Sequence, residues 1–177
     1  TYLQYYLADV VRSFQALGRT LTEAPFQAVA LLGLLISLGA ALASVPAGRA
    51  SDRLGRKPLI YLSGAGLGLL MPFLLVFPRY DLLLALALVF GLFYGVYLAV
   101  DWALVADVLK DPEAHATDMG LWQTAIVVPQ VLAGAFGRPL DLLNAQTPGL
   151  GYQVLYLLAA LFFLLGAFGV AGVRRSR

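Results

Sequence analysis

The 177-residue chain is 60% hydrophobic and only 12% charged, with a net charge of +2 and no cysteine. Soluble domains are about 45–50% apolar and about 25% charged, so a water-soluble globular domain and a disordered tail are both excluded. Disulfide scaffolds, thiol nucleophiles and thiolate metal sites are excluded too, and the small net charge is not the footprint of a nucleic-acid binder.

The first segment, Thr1–Val11, is apolar with Asp9 embedded, and it is too short to cross a bilayer. It lacks an initiator Met and the basic–apolar–small order of a signal peptide. We read Thr1–Leu17 as the tail of a helix whose beginning is missing, with a short interfacial helix as the alternative. Five uncharged stretches follow: Ala24–Gly48, Pro58–Pro78, Leu82–Val100, Met119–Gly137 and Leu142–Val173. Each reaches the roughly 20 residues a helix needs to cross hydrocarbon. Pro148, Gly149 and Gly151 break the last stretch, which puts its helix at about Tyr152–Val173. Leu82–Leu88 shows no period-two alternation, which argues against a transmembrane barrel. The expected fold class is all-α, a polytopic transmembrane bundle of five complete spans and a truncated first helix.

Orientation follows from Lys and Arg in the short loops. Arg49, Arg53, Arg56, Lys57, Lys110, Arg174, Arg175 and Arg177 fall on one side, against Arg12, Arg19, Arg79 and Arg138 on the other. The richer side is read as cytoplasmic, which places the C-terminus inside.

Polar residues in a membrane segment usually face protein or water. The first, second, fourth and fifth segments carry such residues, among them Gln4, Tyr5, Gln27, Tyr94, Tyr97, Asp101, Gln123 and Gln130. The third and sixth carry almost none and are expected to face lipid. On the fourth span Phe90, Tyr94, Tyr97 and Asp101 recur at helical spacing, an aromatic stripe ending in a carboxylate. It could line a sugar or cation pathway, or serve packing with Asp101 near the inner surface. On the fifth, Gln123 and Gln130 share a face, and Pro129 beside them removes a backbone hydrogen bond and would kink the helix. Interhelical hydrogen bonding explains these amides equally well. Gly33, Ser37 and Ala40 on the second span, with Gly64 and Gly68 on the third, suit close helix packing.

The segment Gly48-Arg49-Ala50-Ser51-Asp52-Arg53-Leu54-Gly55-Arg56-Lys57 falls in the short inner loop after the second span. It resembles the G-x-x-x-D-R-x-G-R-K/R signature of the major facilitator superfamily, matched by Gly48, Asp52, Arg53, Gly55, Arg56 and Lys57. Physically, Gly48 permits close approach of a neighbour, Asp52 suits a helix N-terminus, and the basic residues suit an anionic leaflet. The resemblance implies a cytoplasmic gating latch, carried here by Asp52 and Arg56, between two six-helix halves. It also implies that each half is built of two inverted three-helix units. Tyr97-Leu98-Ala99-Val100-Asp101-Trp102, Met119-Gly120-Leu121-Trp122, Pro129-Gln130 and Gly134 look like the tenth and eleventh helices of prokaryotic members. Some of these are similar to glycoside–pentoside–hexuronide:cation symporters.

The expectation is therefore a C-terminal half-domain over residues 1–177, with the N-terminal half missing. It would sit in the inner (plasma) membrane and move a small polar solute with a coupling ion, H+ or Na+. Sugar–cation symport is favoured over multidrug or metabolite efflux. Gln4, Tyr5, Tyr94, Tyr97, Gln123 and Gln130 are the candidate cavity residues, and Asp101 is the candidate for ion coupling. No cofactor, metal or nucleic-acid partner is expected. Two rivals differ in class. Asp107, Asp111, Glu113, His115 and Asp118 could make a metal-holding acidic loop of a membrane enzyme, or the chain could be a non-transporting subunit. No glycine-rich nucleotide loop follows a strand, which disfavours ATP-driven transport by the chain itself.

Overall fold

A computed structural model describes residues 2–108 and 115–169. Lys110, Asp111, Glu113, Arg174, Arg175 and Arg177 lie outside the described residues, as do the side chains of Asp107 and His115. The elements run α1 (Tyr2–Tyr6), a π-helical turn (Leu7–Val11), β1 (Phe14–Ala16), β2 (Arg19–Thr22), α2 (Pro25–Leu54), α3 (Arg56–Val76), α4 (Tyr80–Val108), α5 (His115–Ala133), a 3-10 turn (Gly134–Phe136), α6 (Gly137–Gln146) and α7 (Leu150–Gly169). Five helical segments are long and apolar enough to cross a membrane: Pro25–Leu54, Arg56–Val76, Tyr80–Ala103, Ala116–Gln146 and Leu150–Gly169. The all-α polytopic bundle expected from the sequence is the observed architecture.

Each helix satisfies its own backbone, as hydrocarbon requires. Their lipid-side stripes are legible in exposure: Leu34, Leu38, Leu42 and Val45 on α2, Leu62, Leu69 and Phe73 on α3, and Leu157, Leu161, Leu165 and Phe168 on α7. The closest approach is α2 against α4. A methyl built on Gly91 would lie 2.3 Å from the Ile36 carbonyl oxygen, and one on Gly95 would lie 2.4 Å from that of Ala40. Gly39 on α2 meets the Leu88 carbonyl in the same way. Of the small residues expected to pack, Gly64 and Gly68 do so, against Ala167 and Leu164 of α7, whereas Gly33 has open space beside it.

At one end of the bundle the core gathers Tyr6, Leu7, Phe14, Leu32, Met71, Tyr80, Leu83, Tyr152 and Tyr156. A short hairpin caps this end. Leu17 and Gly18, both at positive φ (52° and 76°), make its two-residue turn, the backbone sign that twisted hairpins favour. Phe14 packs edge-on to Tyr80 at 5.3 Å, and the Tyr80 hydroxyl donates to the Ala28 carbonyl at 2.9 Å. Leu59, Ile60 and Val100 form a smaller core at the other end.

Three expectations need correction. The span from α5 does not stop near Gly137: it continues through α6 to Gln146, because Pro139 sits in the first turn of α6, where its missing N–H costs nothing. The third span is not mainly lipid-facing. Its Leu59, Ile60, Ser63, Gly64, Leu67, Gly68 and Met71 are buried, mostly against α4 and α7. In lipid, small residues draw helices together as effectively as polar ones, so low polarity does not mark the lipid side. The helix expected over Thr1–Leu17 ends at Val11, where Arg12 takes a positive φ, and Phe14–Ala16 is instead the first strand of the hairpin.

Gly91→Val would force α2 and α4 apart at a cost of about 1–3 kcal/mol, seen as a lower melting temperature in detergent. Gly33→Val, where nothing lies within 4 Å of the added carbon, should leave the melting temperature unchanged.

Candidate functional site

The signature segment is helical almost throughout. Gly48, Asp52 and Arg53 occupy the last turns of α2, and Arg56 and Lys57 the first turn of α3. The expected loop is the single residue Gly55, at φ 86° and ψ 164°. That region is essentially closed to residues with a Cβ. Its N–H donates to the Ser51 carbonyl at 3.0 Å, closing α2, while the Ser51 hydroxyl donates to the Gly48 carbonyl at 2.7 Å. Asp52 and Arg53 are exposed, Arg56 and Lys57 half-buried. Asp52 does not cap α3, whose N-terminus has no side-chain cap. Gly48 meets no close neighbour among the described residues, so the close approach expected there does not occur.

The candidate cavity residues do not share one wall. On α4, Tyr94 stacks on Phe90 at 6.0 Å, and Phe90 packs edge-on to Phe163 of α7 at 6.4 Å. Tyr97 and Asp101 continue that stripe into a cleft of about 200 Å³ completed by Ile60 and Gly64 of α3 and by Phe162, Phe163, Gly166 and Ala167 of α7. The stripe thus faces α3 and α7 rather than α5. Gln123 and Gln130 are exposed on α5, as is every residue from 123 to 136. Trp122 and the Ala133 carbonyl are places where α5 meets the rest of the bundle. Trp122 lies edge-on to Trp102 of α4 at 4.5 Å, and the Tyr2 hydroxyl donates to the Ala133 carbonyl at 2.6 Å. Gln4 is half-buried and Tyr5 exposed on α1. Among the described residues no three His, Asp or Glu side chains gather to hold a metal ion.

A polar concavity that the sequence reading did not anticipate is also present. It lies at the hairpin end and has two lobes. One, of about 630 Å³, is lined by Tyr2, Tyr5, Asp9, Asp141, Asn144 and Tyr152, with Gly137, Leu140 and Ala145. The other, of about 540 Å³, is lined chiefly by Tyr6, Asp9, Arg12, Asn144, Tyr152 and Gln153. Asp9, Asn144 and Tyr152 belong to both, and the Tyr152 hydroxyl donates to the Asp9 carboxylate across the boundary. The π-helical turn presents Asp9: Arg12 closes it with an N–H to the Leu7 carbonyl at 2.9 Å, and the Arg12 Nε donates to the Asp9 backbone carbonyl at 2.8 Å. Such turns widen a helix and often accompany functional sites. The Asn144 side chain accepts from the Gly151 N–H at 2.9 Å, fixing the α6–α7 junction. The sequence signal was Asp9 itself, a carboxylate in an apolar run. A further crevice of about 210 Å³, among Leu32, Met71, Phe90, Leu155 and Tyr156, is apolar and offers a polar solute little.

A family model described as Major Facilitator Superfamily matches residues 2–176. No curated protein and no solved structure gives a match.

Gly55→Ala should strain the α2–α3 elbow by about 1–3 kcal/mol and lower the melting temperature. Gly48→Ala, in open space within a helix, should be neutral or raise stability by up to about 1 kcal/mol. Thermal unfolding of the two variants side by side checks the contrast.

Proposed function

The chain belongs to the major facilitator superfamily, whose members are membrane transporters, and from this premise we propose that it moves a small polar solute by alternating access, coupled to H+ or Na+. The observation that carries the reading is α5. This helix crosses the apolar layer exposed from residue 123 to 136, yet it carries Gln123, Thr124 and Gln130. Amides facing lipid would be costly, so this side calls for water or protein. A second six-helix bundle of the same transporter, facing α5 across an aqueous path, meets that need. In this proposal the chain is the C-terminal half, with its C-terminus and the Asp52–Arg56 latch on the cytoplasmic side of the plasma membrane. Asp101 is the coupling group, a half-buried carboxylate among Ile60, Phe162 and Phe163. A sugar would need a free aromatic face. Phe90 and Tyr94 are stacked on each other, which leaves Tyr97 as the ring of the stripe to offer one.

With no cysteine among the 177 residues to interfere, Gln123→Cys and Gln130→Cys in sealed vesicles should react with a charged, impermeant maleimide roughly tenfold faster than Val128→Cys and Leu132→Cys on the opposite face. Equal, slow reaction at all four positions would remove the aqueous path. Asp101→Asn should abolish gradient-driven accumulation in vesicles while leaving equilibrative exchange measurable. Unchanged accumulation would exclude Asp101 from coupling.

A further inference from the structure

We infer that the proton exchanged by Asp101 reaches it from the flank of the bundle, through the cleft where α3, α4 and α7 meet, apart from the aqueous path proposed along α5. Asp101 lies near the far end of its span. At about 1.5 Å per residue it stands roughly 30 Å from Tyr80, and the span ends at Ala103. The α2–α3 elbow is at the same end, because Ile60, one turn beyond Arg56, lines the cleft with Asp101. Asp101 and Trp102 face different ways, about 100° apart on the helix. Trp102 lies edge-on to Trp122 of α5, whereas Asp101 opens onto Ile60, Phe162 and Phe163. A carboxylate serving the α5 side would share the side of Trp102; this one is turned from it. The cleft beside it measures about 200 Å³. One water in a polar site needs only about 10–15 Å³ of such space, so the cleft admits several.

The lining selects the ion. Asp101 and Tyr97 are its oxygen-bearing side chains, and the rest is apolar or glycine. A hard cation gathers several oxygens, and helix carbonyls are already bonded within their own helices. The donor set therefore suits a proton and not Na+. Tyr97 is the titratable group that shares the cleft with Asp101 among the described residues. Neither α3 nor α7 brings a charged side chain into it, and Arg56 and Lys57 stand a turn away from Ile60. The step is the transfer of a proton from hydronium to a carboxylate oxygen, leaving water; no other bond changes. The inference rests on the coupling role proposed for Asp101, but access is measured without transport.

Gly166 lines the cleft with nothing within 4 Å of an added carbon, and Gly169, outside the lining, is equally open. In the full chain in nanodiscs, Asp101→Cys should react with a charged, impermeant maleimide. Adding Gly166→Phe should slow that reaction about tenfold, because the ring displaces water from the cleft. Gly169→Phe on the same helix and Gln130→Trp on α5 should leave the rate unchanged. Gly166→Leu is the second plug if Gly166→Phe fails to fold. The route is overturned if Asp101→Cys reacts only with an uncharged, lipid-soluble maleimide, if neither plug slows it, or if Gln130→Trp slows it as much. Coupling is scored separately, by accumulation in vesicles. Gly166→Phe should cut accumulation driven by a pH gradient about tenfold while equilibrative exchange continues. Accumulation driven by a Na+ gradient alone overturns the proton assignment. Labelling indifferent to Gly166 with accumulation lost in Asp101→Asn removes the flank route and leaves the coupling role. Labelling slowed by Gly166→Phe with accumulation unchanged in Asp101→Asn removes the coupling role and leaves the cleft as a water path.

Discussion

In hydrocarbon, two apolar helices gain little by hiding from solvent, because lipid tails are as apolar as their own side chains. What holds them together is contact, and contact depends on how near the backbones can come. The α2–α4 pair makes the nearest approach, through Gly39, Gly91 and Gly95. That contact sets the rotation of α4 about its axis, and much of the remaining geometry follows. At about 100° per residue, the face bearing Gly91 and Gly95 lies nearly a third of a turn from the stripe of Phe90, Tyr94, Tyr97 and Asp101. With the glycines seated on α2, the stripe is turned onto α3 and α7, where Tyr97 and Asp101 meet Ile60 and Phe163.

The hairpin end is organised differently, by hydrogen-bonding aromatic rings. Tyr6 stands edge-on to both Tyr152 and Tyr156, at 5.6 Å and 5.2 Å. Its hydroxyl donates to the Leu74 carbonyl, and the Tyr80 hydroxyl to that of Ala28. These rings tie α1 to α3, α2 to α4, and α1 to α7. They hold Asp9 in reach of Tyr152, so that a carboxylate on the first helix and residues of α6 and α7, distant in sequence, enclose one polar space. The other end relies on the small Leu59–Ile60–Val100 core and the tryptophan pair.

The spans were legible in the sequence because hydrocarbon thickness sets their length and charge excludes them from it. The α2–α3 junction was legible because its glycine and charge pattern is dense. Facing was not. Polarity places Tyr97 and Asp101 beside Gln123 and Gln130, whereas steric access decides the facing, through the glycines of α4. The hairpin escaped because its strands are too short to show a period, although Leu17-Gly18 marks the turn. The hairpin-end cavity escaped because its parts come from three separate helices, and a single aspartate in an apolar run does not announce its distant partners.

The one-residue link at Gly55 has a mechanical consequence. Two rods of 30 and 21 residues joined through a lone residue, the first closed by its own hydrogen bond, have no slack between them. A displacement of the end of α2 must therefore carry the start of α3 with it, and Gly64 and Gly68 seat α3 on α7. Such a linkage behaves as a crank rather than a string.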